Sequence, residues 1–212
     1  MIGIARRRIL LPTEDKGAYV DLGLPSGLKW AQGNIVKDEQ GNYSIGNETD
    51  YGCYFSWGNI IGHNNGKGYD FGTSNSGPYA STPGAQVSAN IASNDASHDA
   101  ALACLGAPWH MPTKEDFKEL YDNTDREWTS IDGIKGWKFM KKTDHSVYVF
   151  FPAAGYGLGA SVGYVGSIGR YWSSSWYSAD NAFYMSFLSS SVNPQYSGNR
   201  YRGFPVRAVI SA

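Results

Sequence analysis

The sequence predicts an α+β domain built mostly from short strands and turns. Three observations carry that prediction. Aromatic residues make up 15 % of the chain and glycine occurs 26 times, a composition of strands and tight turns rather than long helices. Two helical patterns stand in the middle of the chain, Ser97–Leu105 and the segment opening at Pro112-Thr113. After Tyr121 the pattern is strand and turn to the end, with no alternating βαβ periodicity that would indicate a parallel sheet.

Taken in order, residues 1–17 read as a tail. Their basic triplet Arg6-Arg7-Arg8 is followed by Ile9-Leu10-Leu11 and then at once by Pro12 and charges, too short an apolar run for a signal-peptide core. Residues 18–212 read as a single domain. An early strand runs Ala18 to Leu22 and ends in the turn Leu24-Pro25-Ser26-Gly27. Residues 59–90 are rich in Gly, Asn, Ser and Pro, the signature of a long surface loop insertion. In the first helix Ala101, Leu102 and Leu105 fall at helical spacing and Gly106 is placed as the stop. The second has Asp116 three residues after Thr113, a short-acid capping box, with Phe117, Leu120 and Tyr121 on one face. Later strands are expected at Val147–Phe151, Phe183–Leu188 and Pro205–Ile210.

Charge excludes some functions. The 18 basic and 19 acidic residues nearly cancel, which leaves no concentrated basic surface for nucleic acid or anionic membrane, and no run is apolar enough to span a bilayer. Cys53 and Cys104 are too few for a disulfide framework and read as buried small apolar groups, with a single long-range disulfide as the minority alternative. His63, His98, His110 and His145 lack metal-ligand spacing, so no cofactor or metal is expected. Gly155-Tyr156-Gly157-Leu158-Gly159 imitates a dinucleotide loop, but no helix pattern follows it. Ser173-Ser174-Ser175 has no base beside it in sequence, and no enzyme is expected.

Residues 161–202 differ in composition from the rest. No Lys occurs after Lys142 and no Glu after Glu127, leaving Tyr, Ser, Gly and Asn with a few Arg and Trp. That is the composition of an antibody-like paratope, where rigid rings supply area and small polar groups supply adaptable hydrogen bonds. Alternation along Phe183–Leu188 predicts Phe183, Met185 and Phe187 toward the core, with Tyr184, Ser186 and Leu188 outward. An ordinary exposed strand with scattered aromatics is the plainer alternative. Recurrence at Tyr164, Tyr177, Tyr196 and Tyr201 favours a binding surface.

Six ordered blocks resemble one family. Tyr19–Ala31, Tyr51–Gly58, the Trp109-His110-Met111-Pro112-Thr113 helix start, Phe151–Tyr156, Tyr171–Ser175 and Arg200-x-x-Gly203-Phe204-x-Val206-Arg207 are similar to the Fibrobacter-type major paralogous domain. His110 stands where that family has Arg. The C-terminal block also resembles variable proteins of diversity-generating retroelements. The resemblance implies a C-type-lectin-like fold, two helices packed on short antiparallel sheets, with Tyr19–Leu22 paired to Val206–Val209. It further implies a diversified surface within residues 161–209, carried by a phage or bacterial surface protein that meets a protein or glycan receptor.

Adenine-directed diversification would leave Trp172, Met185 and Gln195 as framework. The expected ligand-binding residues are Tyr164, Ile168, Arg170, Trp176, Tyr177, Asp180, Tyr184, Ser186, Leu188, Tyr196, Ser197, Asn199, Tyr201 and Arg202; Trp176, itself framework by that logic, serves as a contact. A fixed-sequence adhesion or carbohydrate-binding domain is the alternative. Calcium-dependent sugar binding is not expected, because the nearest triplet, Asn193-Pro194-Gln195, brings no carboxylate.

Overall fold

A computed structural model describes residues 19–64 and 68–211. The Arg6–Arg8 triplet, the apolar run 9–11 and the rest of the predicted tail lie outside the described residues.

The first part of the chain is short strands: β1 (Tyr19–Val20), β2 (Lys29–Ala31), β3 (Ile35–Lys37), β4 (Tyr43–Ile45), β5 (Cys53–Tyr54) and β6 (His63–Asn64). Two 3-10 turns at Pro78–Ser81 and Pro83–Gln86 lead to helices α1 (Ala100–Leu105) and α2 (Lys114–Asn123). Longer strands follow: β7 (Thr124–Ile131), β8 (Ile134–Lys141) and β9 (Asp144–Pro152), then β10 (Tyr156–Leu158) and β11 (Ser161–Gly163). β12 (Gly169–Trp176), β13 (Asn181–Leu188), β14 (Ser191–Asn199) and β15 (Val209–Ile210) complete the chain.

Both helices follow their caps. Asp99 accepts from the backbone N–H groups of Ala101 and Leu102, and Gly106 closes α1 at a φ of 78° that costs a side-chain-bearing residue dearly. The Asp99 carboxylate also accepts from the N–H of Met111, tying α1 to the approach of α2. Thr113 and Asp116 form the reciprocal capping box, and α2 buries Phe117 and Leu120.

The sheets depart from the expected layout. Pairing is antiparallel throughout the strands and divides them into β1-β2-β15, β7-β8-β9, β12-β13-β14 and the two-stranded β3-β4, β5-β6 and β10-β11. The α+β, C-type-lectin-like expectation is therefore corrected: the described residues form several small antiparallel sheets with two short helices, not a helix-on-sheet C-type-lectin arrangement. The expected pairing of the first strand with the last is also corrected, because β2 lies between them, with Val20 opposite Trp30 and Trp30 opposite Val209.

The sheet β12-β13-β14 separates two cores. Trp172, Ala182 and Tyr184 pack into one with Phe55, Trp57 and Phe204. Tyr171, Met185 and Phe187 pack into the other with Trp30, Phe117, Phe139 and Phe151. Because both faces are covered at its centre, side chains from this sheet reach solvent only toward its ends and edges.

The described residues of 59–90 hold β6 and the two 3-10 turns between loops, and the segment is anchored to the core. Phe71 and Tyr79 are buried. A Cβ at Gly157 or Gly203 would lie 2.4 Å from the Phe71 ring, so these glycines admit that ring. Gly157 is the middle glycine of the run that imitated a dinucleotide loop, and Gly155 and Gly159 on either side hold positive φ of 67° and 56°.

Two buried arginines hold the loops. Arg207 donates to Asn34 Oδ1, to the carbonyls of Ala31 and Gln32, and to that of Phe150, at 2.8–3.0 Å. Arg200 donates to the Tyr79 hydroxyl and to the carbonyls of Ala179, Gly84 and Val87. Full burial pulls the Arg207 guanidinium down to about 10.

Candidate functional site

One face of β12-β13-β14 gathers part of the predicted surface. In register, Arg170 lies opposite Ser186, while Trp172, Tyr184 and Tyr196 form one row across the three strands. Alternation places both rows on the same face. Tyr156 from β10 and Arg202, which follows β14, complete the group. The Arg170 guanidinium carbon stands 4.0 Å from the centre of the Tyr156 ring and that of Arg202 stands 5.5 Å from it. Tyr164 stacks on Tyr156 with centroids 5.2 Å apart and planes 11° apart, and Tyr196 meets Tyr184 at 5.5 Å.

The residues of this group play different parts. Tyr164 is 60 % exposed and Tyr196 49 %, while Arg170, Arg202, Ser186 and Tyr156 are half-buried. Tyr184 and Tyr201, expected to point outward, are buried, and the expectation is corrected for both. Tyr184 edges onto Trp172 and Phe204, because this face of the sheet covers its own core. Burial pushes its hydroxyl pKa up, against the lowering effect of Arg170 and Arg202. The Tyr201 carbonyl accepts from Ser56 Oγ, a structural contact. Phe183, expected in the core with Met185 and Phe187, is only half-buried.

Tyr164 also carries backbone strain. Its φ of 62° is in the left-handed region, unusual for an aromatic residue, and its ring remains largely exposed. The turn is held by Ser167 and Ile168, whose N–H groups donate to the Tyr164 carbonyl.

The other predicted residues do not join this group. Tyr177 is 52 % exposed and packs edge-on against Phe183, over which Lys114 Nζ sits at 4.5 Å. Ser197 lies opposite Phe183. Asp180 is exposed and accepts from Asn75 Nδ2. Asn199 donates to the Asn181 side chain, and Ile168 is half-buried with its carbonyl bonded to Gly155 N–H. Trp176 packs half-buried on the first core. Leu188 is exposed and its carbonyl accepts from Trp137 Nε1. The fourteen candidates thus divide among several places. Tyr156 was missed as a candidate; its ring between two tyrosine-rich segments of a glycine-flanked strand gave no period to read.

The arginines in this group are unusual in what they lack. Arg170 Nε and Nη1 and Arg202 Nε are buried without a hydrogen-bond partner. No carboxylate among the described residues lies within 4.0 Å of either guanidinium.

Nucleophile chemistry finds no support in the geometry. Ser173 Oγ donates to the Phe183 carbonyl, Ser174 Oγ to the Pro112 carbonyl, and Ser175 Oγ accepts from Lys114 N–H. Burial pushes the Cys53 thiol up to about 11 and the Cys104 thiol up to about 12, where little thiolate forms. Hollows of about 490, 550 and 610 Å³ open elsewhere, around Lys37 and Tyr51, around Tyr19 and Val147, and around Glu48 and Tyr148. They gather no comparable set of unpartnered groups, so the tyrosine–arginine face is the stronger candidate.

Residues 120–209 match a family described as a domain of unknown function (DUF8237), a segment that includes α2 from Leu120 onward and β7 to the first residue of β15. No curated protein and no solved structure matches the chain.

Proposed function

We propose that the chain is a non-enzymatic ligand-binding module that presents the Tyr156–Tyr164–Arg170–Tyr196–Arg202 face to a protein or glycan receptor on another cell surface. The observation that carries this reading is the grouping of tyrosine rings, two of them open, with guanidiniums that donate no hydrogen bond among the described residues. Tyr and Arg are the side chains that most often anchor interfaces, because they combine large rigid area with polar reach. Display on a virion or a bacterial surface belongs to the same proposal.

Diversification extends it. Tyr164, Tyr177, Asp180, Leu188 and Tyr196 are exposed, so exchange there leaves the cores intact. Burial of Tyr184 and Tyr201 favours a second reading for those positions, a fixed-sequence adhesion or carbohydrate-binding surface.

Two experiments test these readings. Arrays of surface proteins and glycans are probed with the full chain and with Tyr164→Ala and Tyr196→Ala; the proposal expects array signals that both variants weaken. Signals unchanged by either variant would remove this face from the account. Sequencing the coding segment for 161–209 across a population, with its genomic neighbourhood, separates the two forms. A neighbouring reverse-transcriptase gene, a near-repeat of the segment and variation at the exposed positions are expected for diversification, and an invariant segment for the fixed form.

A further inference from the structure

We propose that Arg170 and Arg202 form an anion subsite that takes a carboxylate from an acidic segment of a protein partner. The inference deepens the binding-face proposal and rests on it.

The argument is a contrast among the arginines. Arg126, Arg200 and Arg207 each donate to backbone carbonyls. Where the fold uses a guanidinium for its own architecture, it supplies acceptors. Arg170 and Arg202 donate no side-chain hydrogen bond among the described residues, although three of their nitrogens are buried. A buried donor without an acceptor is costly, and a charged one more so. Both guanidiniums also lie within 6 Å of the one Tyr156 ring, at 4.0 and 5.5 Å, which brings two like charges together. The rings of Tyr156, Tyr184 and Phe204 offset this through their faces, with Arg170 at 4.0, 5.8 and 5.7 Å. Ring faces attract a cation but accept no strong hydrogen bond.

The surrounding sequence withholds the counter-charge. Within residues 161–212 the acidic residues reduce to Asp180, against Arg170, Arg200, Arg202 and Arg207. The Asp180 carboxylate accepts from Asn75. An incoming carboxylate would supply the missing charge and accept from Arg170 Nη2 and from Nη1 and Nη2 of Arg202, which are not among the buried nitrogens, and an Arg fork suits a carboxylate better than a Lys point charge does. A protein acid is favoured over an acidic sugar because the flanking surface is open stacked tyrosine, the chemistry of protein paratopes.

The test uses the full chain and labelled hexaglutamate, with hexaglutamine and a galacturonate hexamer as comparison probes, read by fluorescence anisotropy at low and physiological salt. Hexaglutamate is expected to bind and hexaglutamine not, with binding weaker at higher salt. Arg170→Gln and Arg202→Gln should each weaken it about tenfold or more, and Arg170→Lys less than Arg170→Gln. Because neither side chain donates a hydrogen bond to another segment among the described residues, the Gln variants should melt close to the parent chain; Lys variants at both positions, which keep the charge over the Tyr156 ring, serve if they do not. Absence of hexaglutamate binding, or binding indifferent to both arginines, overturns the subsite. Tighter binding of the galacturonate hexamer overturns the assignment to a protein acid. If arrays respond to Tyr164→Ala and Tyr196→Ala but not to the arginine variants, the binding face stands and the subsite falls. Array signals indifferent to every one of these variants remove the face itself.

Discussion

Arg207 and Arg170 carry the same charged group into two different settings. Arg207 is fully buried and makes four hydrogen bonds that join β2, the turn after it and β9. Arg170 is half-buried on a sheet face, lies over a tyrosine ring, and has two buried nitrogens with no partner. The first is satisfied by the chain and the second finds no acceptor among the described residues. Between these two arginines, hydrogen-bond satisfaction rather than burial alone is what differs.

The largest effect is expected deep in the architecture. Trp172 is fully buried and its Nε1 donates to the Phe55 carbonyl. Trp172→Ala should cost roughly 3–5 kcal/mol in urea unfolding, from lost packing and one lost hydrogen bond to a carbonyl that keeps its bond from Phe204 N–H. A change within error would mean that the first core repacks without it, and the division into architecture and face would lose its clearest member.

The next test sets two neighbouring tyrosines against each other. Tyr184 and Tyr196 are cross-strand partners, one 2 % exposed and the other 49 %. Tyr184→Ala should lose about 3 kcal/mol, whereas Tyr196→Ala should stay within about 0.5 kcal/mol. Equal losses would show that the row is uniformly structural.

Why alternation misjudged Tyr184 is physical. A period of two identifies an outer face only where one side of the sheet meets water. Here Met185 and Phe187 enter one core while Ala182 and Tyr184 enter another, so both phases of the alternation are buried. The register shift between Tyr184 and Ser186 further changes which residues face the edge. Signals that depend only on local chemistry were legible: the Thr113–Asp116 capping box and Gly106 at the end of α1, although that helix starts at Ala100 rather than Ser97. The two- and three-residue strands β1 to β6 are too short for any periodicity to register. Phe71 and Tyr79 sit in a polar, glycine-rich stretch, and their anchoring depends on partners such as Gly157, Gly203, Trp57 and Arg200 that are distant in sequence. At the proposed site, composition pointed to the C-terminal third and its tyrosines, while Arg170 and Arg202 came only through the retroelement resemblance. It could not indicate Tyr156, or which tyrosines the second core takes.

A smaller effect is expected from pH. Burial, with the Lys37 ammonium nearby, pulls His63 down from 6.5 to about 4, and its ring stacks on Tyr69 at 3.6 Å. The unfolded chain takes up this proton near 6.5 while the folded chain does not, so stability is full above 6.5 and declines as pH falls toward 4. His63→Phe should therefore show a shallower fall in urea midpoint between pH 7 and pH 4.5 than the parent chain. Parallel curves for the two would remove His63 from the acid sensitivity of the architecture.

The contrast between the two arginines is tested most directly by urea unfolding of Arg170→Met and Arg207→Met side by side. Arg207→Met removes the donors to the buried Ala31 and Phe150 carbonyls, the part-buried Gln32 carbonyl and the Asn34 side-chain oxygen, and should lose roughly 3–5 kcal/mol. Arg170→Met removes donors that have no partner and keeps an apolar stem against Tyr156, so stability should hold within about 0.5 kcal/mol or rise. A loss at Arg170 as large as that at Arg207 would contradict the account, because it would make both guanidiniums architectural and leave the face with no unpaired charge to offer a partner.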